Sequence, residues 1–349
     1  MSAASQQEVF DITILGAGPT GLFGAFYAGM REMSCKVIDI LPEPGGQVTA
    51  LYPEKTIYDT PGFPAIIGKD LIAELVTQAE YWETRMCLGE RAATLTRSPN
   101  PEAASEECWV IETDKDRHYS RSVIIAAGIG AFEPIRLKNE SIDRYEGKGA
   151  VYGMVKPSDY AGKKVLVVGG GDSAVDWALA TEPIAERVTL IHRREGFRAH
   201  ESSLNALHES DVDVRIFYEL REILGDGKVE QALIFDNRTD EDELLDLDAV
   251  ILSLGFKADL GPIRSWGVET VGRRYIRVSN RMETNLPGVF AAGDLALQEG
   301  LDPLNLIVVG YGHVTVAVNY AYTYIHPDGK VFPGHSSEKM AGSETEQSS

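Results

Sequence analysis

Two glycine-rich turns contain the residues whose types and spacing best suit ligand chemistry. The first, residues 16–21 (GAGPTG), follows a β-like apolar run at 9–15 and precedes a run of small and apolar residues at 22–28. A second β-like run at 35–38 ends in Asp39. The fingerprint of a dinucleotide-binding unit is a strand followed by G-x-G-x-x-G, a helix, a second strand and an acidic residue, in this order.

Each residue of this first turn has a predicted physical role. Gly16 permits the tight turn, Gly18 lets the backbone approach a pyrophosphate, and Gly21 permits close packing of helix on strand. The start of the helix offers free N–H groups and the positive end of its dipole to phosphates. Asp39 stands where a carboxylate binds ribose hydroxyls. A purely structural glycine turn in another α/β unit is the alternative.

A second turn repeats the pattern later in the chain. The run 164–168 leads into residues 169–174 (GGGDSA), a helical run follows, and a β-like run at 188–191 closes the unit. Eighteen positions separate Gly21 from Asp39, and eighteen separate Ala174 from His192. Two βαβ nucleotide units in one chain argue against a dehydrogenase with a single cofactor.

The charge after the second strand differs between the two units. Where the first unit has Asp39, the second has His192, Arg193 and Arg194, with Arg198 close behind. Guanidinium groups pair with a ribose 2′-phosphate through charge-assisted hydrogen bonds, whereas a carboxylate repels it. The second unit is therefore predicted to prefer NADP(H) over NAD(H). A solvated basic turn is the alternative.

The elements around the two turns predict an α/β fold. A glycine-rich turn at 44–47, buried-strand runs at 123–128 and 249–255, and a strand at 289–294 that ends in Gly293 and Asp294 surround the fingerprints in order. Alone, each is an ordinary core strand with a turn. Together they indicate two Rossmann-like dinucleotide-binding domains, with the NADP domain inserted into a split FAD domain. Asp294 can reach a ribitol or pyrophosphate.

The predicted boundaries place the FAD-binding domain at 1–130 and 255–349 and the NADP(H)-binding domain at 131–254. Two linkers, near 128–134 and 254–257, invite a hinge motion. Three further segments have recognisable patterns: an amphipathic helix at 70–83, an acidic hairpin or loop at 236–248, and a core helix at 314–325.

Composition limits the classes of partner. The 349 residues are 44% hydrophobic and 25% charged, and the formal net charge is −20. A soluble protein without a global basic surface for nucleic acid is expected, and no apolar run is long enough for a bilayer. Residues 1–8 do not resemble a secretory signal, so a cytoplasmic location is expected. Cys35, Cys87 and Cys108 are far apart in sequence, without C-x-x-C, and no metal site is predicted.

The residues from the first fingerprint to about Ser336 resemble the flavoprotein pyridine nucleotide reductases, and within them the thioredoxin-reductase-like branch. The segments that carry the resemblance are 169–174 (GGGDSA), 192–200 (HRREGFRAH) and 290–294 (FAAGD). Thioredoxin reductases have C-x-x-C shortly before the second fingerprint, but residues 151–160 contain no cysteine, which excludes electron transfer through a dithiol there. The chain is most similar to the thioredoxin-reductase-like ferredoxin/flavodoxin–NADP reductases (type 2), which residues 126–134 and the C-terminal extension near His335 also resemble.

The resemblance implies a homodimer with one FAD per subunit. It implies one aromatic ring on each side of the flavin: Tyr52, and His335 from the partner subunit. A loop tyrosine packed on its neighbours and a solvated tail histidine are the alternatives. The implied FAD contacts are Gly16, Gly18, Thr20, Gly21, Asp39, Gln47, Tyr52, Ala92, Phe132, Asp294 and Ser336. The predicted NADP contacts are Gly169, Gly171, Asp172, Ser173, Ala174, His192, Arg193, Arg194 and Arg198.

The implied activity is hydride exchange between NADPH and FAD and single-electron exchange between FAD and ferredoxin or flavodoxin. No proton-transferring catalytic side chain is expected, because the flavin supplies the redox chemistry. The other hypotheses are an NADPH-dependent reductase of a quinone, disulfide or small molecule, and a non-catalytic sensor of the NADPH ratio. Because ferredoxins are usually acidic, a local basic face is needed. The candidate is Arg264, Arg273, Arg274, Arg277 and Arg281, with an ordinary β-rich surface as the alternative.

Overall fold

The computed structural model describes residues 8–103, 105–128, 130, 133–152, 156–257 and 259–336. The chain divides into two compact units, one built from residues 1–131 and 258–349 and the other from 132–257. Each unit contains one of the two glycine-rich turns.

The described chain contains single strands between helices as well as longer runs of consecutive strands. The strands are β1 Val9–Leu15, β2 Cys35–Asp39, β3 Thr56–Ile57, β4 Ile66–Ile67, β5 Arg85–Leu88, β6 Ala92–Pro99, β7 Glu107–Thr113, β8 Arg117–Ile125, β9 Glu133–Pro134, β10 Ala150–Tyr152, β11 Lys164–Gly169, β12 Arg187–His192, β13 Asp213–Ile216, β14 Tyr218–Leu224, β15 Gln231–Asp236, β16 Glu241–Asp246, β17 Ala249–Ser253, β18 Phe256–Lys257, β19 Thr270–Val271, β20 Tyr275–Val278, β21 Val289–Ala291 and β22 Ala296–Gln298. The α-helices are α1 Pro19–Met30, α2 Gln47–Leu51, α3 Gly68–Glu80, α4 Glu140–Tyr145, α5 Asp172–Thr181, α6 Glu201–Glu209 and α7 Ile307–Ile325, and short 3-10 helices span Pro157–Tyr160 and Gly261–Ser265.

The first unit is built on a seven-stranded sheet in the order β5-β2-β1-β8-β7-β6, with β21 also paired to β8. Strands β5, β2, β1, β8 and β21 run parallel, so the ends of β1, β2, β8 and β21 meet at one edge. Their near-continuous apolar sequences are typical of strands covered on both faces. Helices α1, α3 and α7 contribute apolar side chains to the same core.

Helices α1 and α7 pack closely because small residues lie between them. A Cβ atom on Gly24 of α1 would come within 2.5 Å of Val314 Cγ2 on α7. The helix predicted at 314–325 is present as the greater part of α7, which begins earlier, at Ile307. The amphipathic helix predicted at 70–83 corresponds to α3.

The second unit contains a five-stranded parallel sheet in the order β10-β17-β11-β12-β13 and an antiparallel meander β14-β15-β16. Two apolar clusters lie in this unit, one containing Leu166 and Val250 and the other Val167 and Trp177. The acidic segment at 236–248 forms part of the β15–β16 hairpin, which was one of its two predicted forms.

The two chain segments at which the second unit begins and ends pair with each other. Pro134 lies opposite Phe256 and Glu133 opposite Lys257 in the antiparallel pair β9–β18. The backbone N–H of Ile135 also donates to the carbonyl of Gly255. The predicted hinge at these linkers stays a prediction. Among the helices in the described parts of the chain, none is both long and apolar enough to cross a bilayer.

Candidate functional site

The first glycine turn has the strand–turn–helix–strand context that its sequence predicted. It connects β1 to α1 at the edge where parallel strands end. Gly16 has a φ of +117°, and a Cβ there would lie 2.4 Å from the carbonyl oxygen of Ala126, at the end of β8. A Cβ on Gly21 would lie 1.8 Å from the carbonyl oxygen of Gly16. These two glycines are therefore required by packing within the protein itself.

Gly18 is different, because the protein leaves space beside it. The nearest heavy atom to a Cβ built on Gly18 is the Cα of Gly46, at 3.9 Å. Gly18 is the N-cap residue of α1 and provides no side-chain cap. The N–H groups at the start of α1 therefore face a cleft bordered by backbone, which suits a phosphate group.

Asp39 lies at the end of β2, next to this cleft. Its Oδ2 accepts a hydrogen bond from Ala17 N at 2.5 Å, and its Oδ1 accepts one from Leu41 N at 2.8 Å. Burial raises the pKa of the Asp39 carboxyl, and the two backbone donors partly oppose that shift. The carboxylate thus holds the fingerprint turn to the end of β2, and each oxygen keeps a lone pair for a ribose hydroxyl.

Four predicted flavin contacts from distant parts of the sequence converge beyond Gly18. Gln47 Nε2 donates to Asp294 Oδ2 at 3.1 Å. Tyr52 ends the short helix that Gln47 begins. Burial, with the Asp294 charge adding to it, raises the pKa of Tyr52 to about 12. The Thr20 hydroxyl oxygen lies 3.0 Å from a Cβ built on Gly293, the neighbour of Asp294.

His313, on α7, was not predicted and belongs to this group. It makes a hydrogen bond with the backbone of Gly293 and lies close enough to Asp294 for their charges to interact. Its Nδ1 is buried and has no hydrogen-bond partner within the described part of the chain. Buried polar atoms normally have a hydrogen-bond partner, so an unpaired nitrogen near Asp294 indicates a site that a polar ligand completes. The residues present therefore fit a flavin nucleotide.

The remaining predicted FAD contacts lie at the borders of the first unit. Ala92 begins β6, two residues after Glu90, whose N–H donates to the carbonyl of Asp39. Ala92 thus lies near the Asp39 end of the cleft. Phe132 falls outside the described residues. His335 and Ser336 are exposed at the end of the described chain, and the His335 ring packs edge-on against Phe332.

The segment leading to His335 is fixed at the far end of the α1–α7 pair. Arg31, one residue after α1, donates to the carbonyls of Lys330 and Val331 at 2.8 and 3.1 Å. Its guanidinium also stacks on the ring of Tyr322, near the end of α7. The fingerprint turn is at the other end of α1. Arg31 is a residue that the sequence reasoning missed, and the glycine and acid patterns gave no signal for it.

The second glycine turn repeats the geometry of the first. A Cβ on Gly169 would lie 2.2 Å from the carbonyl oxygen of Ser253, at the end of the neighbouring strand β17. Gly171 is the N-cap of α5 without a side-chain cap, and a Cβ there would meet its nearest atom only at 3.9 Å. Ala174 is fully buried. Here one glycine is required by packing, whereas the first unit has two, and in both units another glycine leaves room at a helix start.

The arginine-rich loop folds back onto this second turn. Arg198 N donates to the carbonyl of Gly170 at 2.7 Å, and His200 N donates to Asp172 Oδ1 at 2.9 Å. The His192 ring packs over Gly170, where a Cβ would come within 2.1 Å of it. The arginine side chains at 193, 194 and 198 are exposed. The loop therefore presents three guanidinium groups beside an open helix start. Ser173, in the first turn of α5, is half-buried at the same place.

The comparisons with known proteins identify the family of the chain. A family model described as pyridine nucleotide-disulphide oxidoreductase matches residues 10–321. A protein from Symbiobacterium thermophilum with the name ferredoxin–NADP reductase is 52% identical over 336 residues, covering 95% of this chain and 98% of that protein. One from Sulfurisphaera tokodaii with the same name is 48% identical over 331 residues, covering 94% and 97%.

Solved structures show the same fold. The thioredoxin reductase of T. acidophilum superposes with a TM-score of 0.76 at 26% identity, covering 90% of this chain and 98% of that one. The thioredoxin reductase of Lactococcus lactis also gives 0.76, at 25% identity, covering 91% and 99%. The predicted fold class and the predicted resemblance are confirmed. The chain belongs to the pyridine nucleotide-disulphide oxidoreductase family, in which it is similar over nearly its whole length to relatives with the name ferredoxin–NADP reductase.

Proposed function

We propose that this chain is an FAD-containing ferredoxin–NADP(+) reductase that exchanges electrons between NADPH and ferredoxin or flavodoxin. The observation that carries the proposal is the charge difference between two otherwise matched nucleotide turns. The first holds the buried carboxylate of Asp39, and the second is flanked by the exposed arginines 193, 194 and 198. Relatives at 48% to 52% identity with that name support the same assignment.

In this proposal, the first unit holds FAD. Gly16, Gly18 and Gly21 form the pyrophosphate turn, Asp39 binds the ribose, and Tyr52 covers one face of the ring system. Gln47 and Asp294 form a hydrogen-bonded pair that orients the ribitol side. Bound FAD supplies hydride acceptance and one-electron release. The side chains bind and orient the group, and none is assigned a proton-transfer step.

The second unit holds NADP(H). The open start of α5 receives the pyrophosphate, and the arginine loop receives the 2′-phosphate. Asp172 accepts from the backbone of His200 and so holds the loop that carries Arg198 against Gly170. We therefore assign Asp172 to positioning the arginines rather than to direct contact with the nucleotide.

The cysteines favour an external acceptor over an internal dithiol. Cys35, Cys87 and Cys108 are all free, and all belong to the first unit. The second unit, where thioredoxin reductases carry their cysteine pair, has none in its sequence. Electrons must therefore pass from the flavin to another molecule. Free thiols also suit a cytoplasmic location, which we propose for the protein.

We propose a homodimer in which His335 reaches the partner's flavin. Arg31 holds residues 330 and 331 at the far end of α1, a helix of 12 residues and therefore about 18 Å long. The four residues from Val331 to His335 span at most about 14 Å. Because this reach is shorter than α1, His335 falls short of the fingerprint turn at the other end of that helix, which supports a role in trans.

A basic surface beside the flavin site is the proposed ferredoxin-docking face. The five arginines between 264 and 281 are exposed, but Arg264 lies 3.8 Å from Asp259, and Arg277 lies 3.8 and 3.7 Å from Glu269 and Glu299. Arg274 has no ion-pair partner within the described residues, and its charge acts on Asp294 of the flavin site. Arg274 therefore links this surface to the flavin.

Charge reversal tests the docking face. We expect Arg274→Glu combined with Arg277→Glu to lower the ferredoxin rate about tenfold at low ionic strength and to flatten its salt dependence. NADPH oxidation by a small neutral acceptor is expected to stay the same. Arg187→Glu, at an exposed arginine at the start of β12 in the second unit, is the control. An unchanged salt-dependent ferredoxin rate in the double variant would remove this face from the proposal.

Steady-state turnover with a panel of acceptors tests the function itself. Purified protein with FAD is supplied with NADPH and, in separate assays, with ferredoxin, flavodoxin, a quinone or a small disulfide. We expect kcat/KM to be highest for ferredoxin or flavodoxin and lowest for the disulfide. A preference for quinone would assign a small-molecule reductase instead, and no turnover with any acceptor would favour a sensor.

A further inference from the structure

Four side chains from distant parts of the sequence form a polar cluster inside the first unit. They are Lys36 on β2, Cys87 on β5, Glu90 in the turn after β5, and His118 on β8. Lys36, Glu90 and His118 are between 3% and 7% exposed. The Cys87 Sγ, one carboxylate oxygen of Glu90 and one ring nitrogen of His118 all lie within 4.8 Å of one another. Such a group does not belong to the described chemistry of either nucleotide site.

The hydrogen bonds of the cluster assign its protons. Lys36 Nζ lies 3.2 Å from His118 Nδ1, and His118 Nε2 lies 2.6 Å from Glu90 Oε1. An ammonium group can only donate, so Nδ1 must accept. His118 is therefore neutral, with its proton on Nε2, and donates to the Glu90 carboxylate. The buried ammonium and the buried carboxylate balance each other's charge.

We propose that Cys87, Glu90 and His118 form a zinc-binding site. A thiolate, an imidazole and a carboxylate are the ligand types that Zn²⁺ takes in proteins, with a water in the fourth position. Cys87 is only half-buried, so its side of the cluster gives the ion and its water a path from solvent.

The distances permit coordination after a small movement. Zinc–ligand bonds of about 2.0 to 2.3 Å in a tetrahedral site put neighbouring ligand atoms about 3.3 to 3.6 Å apart. The cluster's atoms lie within 4.8 Å of one another, so the widest separations must close by up to roughly 1.5 Å, and the short contact between His118 and Glu90 must open by roughly 0.7 Å. Thr113 Oγ1 also donates to Glu90 Oε1 and holds the carboxylate in place.

Binding of Zn²⁺ requires a definite proton balance. Cys87 must lose its proton to become a thiolate. His118 must bind zinc through Nε2, so its proton moves to Nδ1 and is donated in a hydrogen bond to Lys36, which must have become a neutral amine. Two protons leave in total. Before binding, the charges of one ammonium and one carboxylate sum to zero. After binding, the charges of Zn²⁺, one thiolate and one carboxylate also sum to zero. A buried site that stays neutral avoids the cost of an unpaired charge.

Because two protons leave when Zn²⁺ binds, zinc affinity should rise steeply with pH.

Zinc titration of the untagged, FAD-loaded protein tests the proposal. Calorimetry with zinc chloride in two buffers of different ionisation enthalpy is expected to give one zinc per chain and about two protons released. X-ray absorption at the zinc edge is expected to show one sulfur neighbour at about 2.3 Å. Cys87→Ser should weaken zinc binding at least about 100-fold. Cys108→Ser, at a buried thiol in a separate apolar cluster, should leave it unchanged.

Substitutions at Lys36 test the proton balance. Arg cannot give up its proton, so Lys36→Arg should abolish binding, whereas Lys36→Gln should retain it with about one proton released. Flavin content and unfolding temperature verify that each variant folds. No zinc uptake by the unaltered protein, equal uptake by Cys87→Ser, or wild-type affinity in a folded Lys36→Arg would each overturn the site. If Lys36→Arg does not fold, Cys87→Ser and the sulfur signal decide.

Discussion

At the scale of single residues, the two nucleotide turns differ in the charge that follows the second strand. The cleft of the first unit ends at a carboxylate that is buried and bonded to backbone N–H groups. The loop of the second unit presents exposed guanidinium groups held in place through Gly170 and Asp172. This difference supports the proposal that one unit binds a nucleotide with free ribose hydroxyls and the other a nucleotide with a 2′-phosphate.

Removal of two of these arginines should therefore change nucleotide selectivity. We expect Arg193→Ser with Arg194→Ser to lower kcat/KM for NADPH about 100-fold, because charge-assisted hydrogen bonds contribute about 1.5 to 3 kcal/mol each. The value for NADH should stay within about twofold. Arg187→Ser, an exposed arginine at the start of β12, is the control. Equal losses for both nucleotides would contradict the assignment.

His192 gives the second unit a pH dependence. Burial lowers the pKa of its imidazole, with the neighbouring arginines adding to the effect. Below about pH 6.5 the unfolded chain therefore binds more protons than the folded one, and stability falls as the pH falls. The midpoint of thermal unfolding should drop between pH 7.5 and 5.5, and should drop less in His192→Gln. An identical drop in both proteins would assign the acid sensitivity to other groups.

Residue patterns in the sequence predicted the turns but not the buried cluster. The roles of Gly18, Asp39 and Gly171 were predicted from patterns that each lie within a single βαβ unit. Glu90 and His118 are 28 positions apart, and Lys36 and His118 are 82 apart. Their contact follows from the strand order β5-β2-β1-β8, which no local pattern contains. The expectation that no metal site exists rested on sequence spacing alone, and the zinc proposal tests it.

At the scale of elements, each fingerprint turn contains at least one glycine required by packing and one glycine that leaves space for the proposed ligand. Gly169 packs against the end of β17, whereas Gly171 faces open space at the start of α5. The strands on either side of the two turns, the buried strands at 123–128, 249–255 and 289–294, the helices after the turns and α3 were predictable, because their apolar patterns are local. The β9–β18 pair was not, because its two-residue strands depend on the chain entering and leaving the unit at one place.

Paired alanine substitutions separate these two roles. Gly171→Ala should leave the unfolding temperature and FAD content unchanged but raise KM for NADPH about tenfold or more, because the new methyl group occupies the path of the pyrophosphate. Gly169→Ala should destabilise the protein by about 2 kcal/mol or more, since its Cβ would lie 2.2 Å from Ser253 O. Similar effects of the two substitutions on stability would contradict the distinction.

At the scale of the whole molecule, the proposed homodimer predicts that each flavin site depends on a second copy of the chain. Co-expressed, differently tagged chains test this dependence. In the heterodimer, one chain carries Tyr52→Ala and the other carries His335→Ala. If His335 acts in trans, one flavin site keeps both the Tyr52 and the His335 ring, and the other site has neither ring. Half of the flavin should then have the absorption spectrum and reduction rate of the unaltered protein. Two equally impaired sites would mean that His335 acts in its own chain, or not at all.

The most direct test of electron transfer from NADPH to ferredoxin is anaerobic reduction of the purified protein with NADPH, followed by stopped-flow mixing with oxidised ferredoxin. We expect full flavin reduction by NADPH and far slower reduction by NADH, then rapid reoxidation by ferredoxin in one-electron steps. A flavin that NADPH reduces but ferredoxin and flavodoxin leave reduced would contradict the proposed function.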